Sequence, residues 1–371
     1  MTKTPPKRSH HHNRRHRAWI KQLYQSKSFY TCRSVFGYQD TYFYLLLGGR
    51  ETGKSYTVMD RFLRDWKLYG KPFYWLRLTD RIAQAMLQND AAKFIDADLV
   101  RRYNLNLKVK GKEVFNQSPD GSLTKLAEVT GISNFYNDKG TATFDNQWHK
   151  GYNICLDECQ REVGEAVRFD LSYALVNTLE NYVRSSKTKV RIAFICNYTE
   201  TVSDILNLFN FLPEHYGRFH IAARKAVIDY LPPSEAYLVR RKNTVADMLL
   251  PDASTFTNKK VFDRSLIVPK TTKLVRPSRI IHFGNPNEIF TVWQGLKDDG
   301  TASKVIVAPY YNEKLGADRI IAMKPYIDGL GYIKRNATTI IANWDARNML
   351  FKDLITQQRF VAALAKVRNT K

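Results

Sequence analysis

Acidic residues are scarce in this chain. Its 371 residues include 58 lysines and arginines against 35 aspartates and glutamates, a formal charge of +23 at neutral pH. The first acid is Asp40. So lopsided a balance implies a polyanionic partner, nucleic acid ahead of membrane. Cysteine is scarce too. Cys32, Cys155, Cys159 and Cys196 are too few and too scattered for a disulfide framework. Cys155 and Cys159 lack the second ligand pair that a zinc site needs. A reducing compartment is expected. No apolar run approaches the roughly 18 residues of a membrane span, so no membrane partner is expected. The basic N-terminus lacks the apolar region of a signal peptide. No internal repeat is present.

What the chain does have is core material. Hydrophobic residues make up 44% and aromatics 13%, and the length suits two domains. Residues 1–39 read as a basic arm, with Lys3, Lys7, Arg8, Arg14, Arg15, Arg17, Lys21, Lys27 and Arg33. Such an arm either lies on phosphates or is a solvated tail. Residues 40–232 alternate strand and helix, which argues a parallel α/β sheet with its ligand at the strand C-termini. Leu231-Pro232-Pro233 marks a boundary. A linker follows over 233–275, helical from Glu235 to Leu250 and then irregular and basic. Residues 276–371 read as a second domain, with strands at 279–283, 288–293 and 304–308 and a closing helix over 347–367.

One stretch organises the first domain. Gly48-Gly49-Arg50-Glu51-Thr52-Gly53-Lys54-Ser55 fits G-x-x-x-x-G-K-[ST] without a mismatch. The apolar run Tyr42 to Leu47 precedes it as a buried strand, and Tyr56, Met59, Phe62, Leu63 and Trp66 follow at helical spacing. Strand, glycine turn and helix N-terminus form a phosphate cradle. Lys54 is placed to reach the β- and γ-phosphates of ATP, and Ser55 to ligate Mg²⁺. Asp157-Glu158 ends a later buried strand. Asp157 suits the metal-holding role, and Glu158 suits the general base that polarises water. Asn197 ends the next strand, where it either bonds the attacking water or γ-phosphate or caps the strand. The helix expected over 168–186 bears Arg184 near its end, either an arginine finger for a neighbour or a residue favourable to the helix dipole. Arg50 is placed as a cation acting in cis or as an outward contact. Lys108, Lys110 and Lys112 alternate in hairpin material, so they share one strand face, lining a nucleic-acid channel or facing solvent.

These features together resemble the DNA encapsidation ATPases of small short-tailed Picovirinae-type phages, cousins of large terminase subunits. The resemblance rests on the 48–55 loop with its arginine, Leu156-Asp157-Glu158, Tyr182-Val183-Arg184 with Val190-Arg191, and Phe194-Ile195-Cys196-Asn197. Phe211-Leu212-Pro213, Gly217-Arg218-Phe219 and Phe290 to Gly295 extend it, patchily, over residues 28 to 300. It implies a P-loop NTPase domain of the ASCE, RecA-like kind, a small helical linker and a C-terminal RNase H-like α+β domain. It implies a homo-oligomeric, pentameric ring on the portal protein of an empty procapsid in the host cytoplasm, driving double-stranded DNA inward with ATP. Relatives place an arginine finger where Arg184 falls, and a trans-acting lysine in a string like Lys125-Leu126-Ala127. Their coupling motif corresponds to the strand ending at Asn197. Some relatives dock on structural RNA, which the basic arm and C-terminal domain suit as well as portal protein. The C-terminal acids form no pattern resembling a two-metal cluster, so the nuclease fold is expected to bind rather than cut. The competing readings are another P-loop DNA translocase or helicase, and a basic nucleic-acid-binding protein with an inactive P-loop.

Overall fold

The computed structural model describes residues 29–38, 40–133, 153–160, 171–183, 190–197, 203–233, 235–242, 244–249, 263–285, 288–296, 299–308, 315–325, 327 and 334–368. The chain divides into two compact units, Met1–Glu200 with Pro213–Lys260, and Thr201–Leu212 with Val261–Lys371. The stretch expected as a linker, 233–275, is shared between them.

The elements of the first unit are β1 (Phe43–Leu47), α1 (Lys54–Tyr69), β2 (Phe73–Arg77), α2 (Asp80–Ala91), α3 (Ala97–Tyr103), β3 (Leu107–Lys110), β4 (Glu113–Gln117), β5 (Leu123–Gly131), β6 (Asn153–Asp157), α4 (Leu171–Val183) and β7 (Arg191–Cys196). After α5 (Asp204–Phe209), which groups with the second unit, come β8 (Gly217–Ile221), β9 (Ala226–Tyr230), α6 (Glu235–Arg241) and α7 (Val245–Leu249). They build a nine-stranded sheet in the order β3-β4-β5-β2-β6-β7-β1-β9-β8. From β5 to β9 every neighbour is parallel. Both faces of these strands are covered, which is why β1, β2 and β6 read as continuous apolar runs rather than alternating ones. Helix α1 buries Val58, Met59, Phe62, Leu63 and Trp66 against the sheet and ends at Gly70, whose left-handed backbone (φ 64°) returns its N–H to Trp66. Phe62, Phe73, Trp75 and Phe94 interlock as tilted and edge-to-face rings with centroids 5.5–6.5 Å apart.

Strand β5 has no sequence signature of its own, because Thr124, Lys125 and Glu128 interrupt its apolar pattern. It pairs in parallel with β2 and antiparallel with β4, so the expected hairpin becomes a three-stranded edge. At its end Gly131 meets the start of α2 so closely that a Cβ would lie 2.1 Å from the Asp80 nitrogen. Glycine is required there by space. The lysine series needs correction. Lys108 and Lys110 alternate on β3, but Lys112 sits in the turn that Gly111 (φ 61°) opens. The chain reverses at that turn, and the period of two ends with it.

The second unit comprises α5, β10 (Lys273–His282), β11 (Ile289–Leu296), β12 (Ala302–Ala308), β13 (Ile320–Ala322), α8 (Lys334–Asp345), β14 (Leu350–Phe351) and α9 (Leu354–Arg368). Its sheet runs β13-β10-β11-β12-β14. The central three strands form an antiparallel meander and each edge strand joins in parallel. This layout is compatible with the expected RNase H-like α+β domain. Phe283, Phe290, Phe351 and Phe360 pack its core, with centroids 5.4–5.9 Å apart.

Two sequence expectations change in this unit. Strand β10 begins at Lys273, inside the stretch read as irregular, because the register shifts at Leu274/Arg276 and Pro277/Arg279 absorb its proline. The closing helix begins at Leu354 rather than 347. Arg347 turns the chain with φ 53°, and β14 intervenes. Helix α5 is stopped by Asn210, left-handed at φ 50°. Among the described residues no helix is long and apolar enough to cross a membrane.

Candidate nucleotide site

The loop between β1 and α1 leaves the sheet at the C-terminal end of its parallel strands. Gly48 donates its N–H to the Cys196 carbonyl at 3.2 Å, and Leu231 donates to Leu47 at 2.7 Å, so β7 and the segment after β9 brace the loop. Glu51 (φ 56°) and Gly53 (φ 90°) are both left-handed. At Gly53 a side chain would also meet the Phe29 Cβ at 3.0 Å, so glycine is required twice over. The Lys54 ammonium donates to the carbonyls of Gly48 (3.0 Å) and Gly49 (2.5 Å) and to Thr52 Oγ1 (3.1 Å). Burial lowers the Lys54 pKa to about 8, against the opposing pull of Cys196 and Asp157.

Asp157 is the hub of the site. Its Oδ1 accepts from Ser55 Oγ at 3.2 Å and from the Glu158 N–H at 3.1 Å, and its Oδ2 accepts from Arg77 at 3.0 Å. Arg77 extends its other nitrogen to the Glu158 carboxylate, so one guanidinium bridges both acids. Arg77 and Asp157 are buried, whereas the Glu158 side chain is 58% exposed. Glu158 has φ 52°, a costly conformation for a residue without a glycine's freedom. Cys159 donates to the Ile195 carbonyl at 3.0 Å and fixes the chain just past it. The Ser55 hydroxyl and Asp157 carboxylate are hard oxygen donors side by side, a pair that fits a small divalent cation.

The other candidates separate. Asn197 leaves β7, the one strand between β6 and β1, so it stands between the Asp157 and P-loop ends of the sheet. Arg50 and Glu51 form the exposed tip of the loop, and Glu51 lies 3.7 Å from Arg240 of α6. Lys125 is at the other end of the sheet. Trp66, twelve residues along α1 from Lys54 and hence about 18 Å away, donates to its carbonyl. The Lys125 ammonium is held between Glu113 and Glu128. Lys108 is paired with Asp90 at 2.8 Å, and the Lys110 ammonium lies 5.8 Å from the Phe115 ring centre. Arg184 lies outside the described residues.

Arg77 is the residue that sequence reading passed over. Its local signal is a single charge ending the buried run Phe73-Tyr74-Trp75-Leu76.

A profile of the family described as podovirus DNA encapsidation protein (Gp16) matches residues 25–293. The chain belongs to this family. It is a viral DNA-packaging ATPase. This sets aside the helicase and inactive-P-loop readings. The structure is similar to that of the Phi-28 gp11 DNA packaging motor, with a TM-score of 0.59 and 14% identity over 91% of this chain and 98% of that one. It is similar also to a chain of the bacteriophage Phi-29 viral genome packaging motor assembly, with a TM-score of 0.58 and 16% identity over 92% and 99%. At such identities these likenesses bear on the encapsidation ATPase's fold. No curated protein matches the sequence.

Proposed function

We propose that this ATPase binds Mg·ATP at the 48–55 loop and couples its hydrolysis to moving double-stranded DNA into a preformed procapsid. The observation that carries the chemistry is the Asp157 carboxylate shared between Ser55 and Arg77, with Glu158 beside it. Gly48, Gly49, Arg50, Glu51, Thr52 and Gly53 cradle the phosphates, and Lys54 neutralises them. Ser55 and Asp157 hold Mg²⁺, which supplies charge neutralisation to the phosphates. Glu158 polarises the attacking water, and Arg77 positions that carboxylate relative to Asp157. Asn197 senses the terminal phosphate from the end of β7. Arg184 serves a neighbouring subunit's site, and Lys125, remote from its own P-loop, acts in trans on a neighbour's.

The working form is a homo-oligomeric ring, a pentamer, seated on the portal protein at the procapsid vertex in the host cytoplasm. That both similar structures come from packaging motors supports an assembly. The basic arm over 1–39 and the second unit contact portal protein or structural RNA. The second unit is a vestigial nuclease that binds without cutting. Lys108, Lys110 and Lys112 contribute phosphate contacts to the DNA path.

The test is ATP-dependent packaging of DNA into purified procapsids. Glu158→Gln should retain nucleotide binding while ATP turnover falls by about 10²–10⁴-fold. Turnover at the wild-type rate would remove Glu158 from its role. Mixing Arg184→Ala subunits with Glu158→Gln subunits should restore part of the activity, and no recovery at any ratio would exclude a trans arginine.

A further inference from the structure

We propose that Phe29 and Arg240 form the seat of the nucleotide's base, a stacking subsite beside the P-loop. This rests on the nucleotide reading above. In the sheet, β7 and β6 lie on one side of β1 and β9 lies on the other. Asp157 and Glu158 mark the β6 side as the terminal-phosphate end. A nucleotide whose phosphates follow the loop therefore points its base toward the β9 side.

Two pieces of chain meet there, the strap that precedes β1 and α6, which follows β9. The strap is fixed at three points. Tyr30 donates its N–H to the Thr52 carbonyl at 3.0 Å and its hydroxyl to Asp229 at 2.7 Å, and Cys32 donates to Thr57 Oγ1 at 3.0 Å. Asp229 is fully buried and also accepts two hydrogen bonds from Arg218, so it is a rigid anchor. This anchorage holds Phe29 against Gly53 yet leaves its side chain outside the core, 42% exposed.

The Arg240 guanidinium lies over the Phe29 ring at 5.9 Å from its centre. A base slipped between them needs about 7 Å, two van der Waals contacts of about 3.5 Å each. Arg240 is 64% exposed, so an outward swing of about an ångström meets little resistance. Phe29 then supplies a π-face and Arg240 a cation on the opposite side of the base. Stacking reads area rather than base edges, so purine nucleotides bind more tightly than pyrimidine nucleotides, with little discrimination between adenine and guanine.

The experiment compares two ligands on the full chain by calorimetry, Mg·ADP and Mg·tripolyphosphate, the second having phosphates but no base. Phe29→Ala should weaken ADP about tenfold and leave tripolyphosphate within twofold. Phe29→Leu, which keeps apolar bulk without a π-face, should behave like the alanine variant, and Phe29→Trp should restore ADP affinity. Arg240→Ala should cost ADP about threefold. Equal weakening of both ligands in Phe29→Leu would overturn the seat and leave Phe29 a support for the loop. Unchanged ADP affinity in the alanine variant would place the base elsewhere. If the wild-type chain binds neither ligand, the nucleotide reading itself fails.

Discussion

The two ends of the first unit's sheet handle charge in opposite ways. At the C-terminal end, Lys54, Arg77 and Asp157 are buried and each is satisfied by named partners. At the N-terminal end and the β3–β4 edge, Lys108 and Lys125 are also paired, but their side chains are 42% and 27% exposed. A buried charge without its partner is strongly destabilising, so the first set has one geometry. A partly exposed pair is screened by water and contributes little, so the second set is not held to one geometry.

The sharpest way to break this contrast is at Arg77. Arg77→Ala leaves Asp157 and Glu158 without their shared cation. The expected loss is about 3–5 kcal/mol of unfolding free energy in urea, with ATP turnover largely lost. Arg77→Lys should recover part of the stability and less of the turnover, since a lysine presents one point charge where a guanidinium forks. A loss below about 1 kcal/mol would mean the bridge is a surface pair in disguise.

Lys54 offers a pH handle. With its pKa lowered to about 8, the free protein carries the ammonium below that pH and loses it above. Phosphate binding needs the charged form, so ADP affinity should be flat below about pH 8 and fall by up to about tenfold per unit above it. Lys54→Arg should flatten the profile up to pH 10. A wild-type profile flat to pH 10 would show that the ammonium is not desolvated.

The smallest effect is expected at Lys108. Lys108→Ala should change stability by less than about 1 kcal/mol, since its pair with Asp90 is exposed. If the edge meets DNA, the slope of log affinity against log salt should drop by about 0.9 for the one lost phosphate contact. An unchanged slope would leave that hairpin facing solvent.

The P-loop, the strands carrying it and the acids at 157 and 158 were legible because each rests on a local pattern. An apolar run, a glycine turn and a helical stripe fall within about thirty residues, and short-range physics fixes all three. The three strands of the second unit read at 279–283, 288–293 and 304–308 were legible for the same reason. Strand β5 was not, because Lys125 and Glu128 mask its pattern and only pairing with β2 makes it a strand. Nor was β10 before Arg279, where a proline is tolerated through register shifts with β11.

The sequence by itself determined the chemistry available, a phosphate cradle and two carboxylates on a basic chain. Tertiary structure alone decided which charges share a site. Arg77 is 80 residues from Asp157 along the chain, and β2 and β6 bring them together as neighbours in register. Lys125, by contrast, is carried to the far end of the same sheet. A local sequence pattern fixes where a strand begins and ends, but parallel pairing over long separations fixes which strand ends coincide, and that is set by the packing of the whole core.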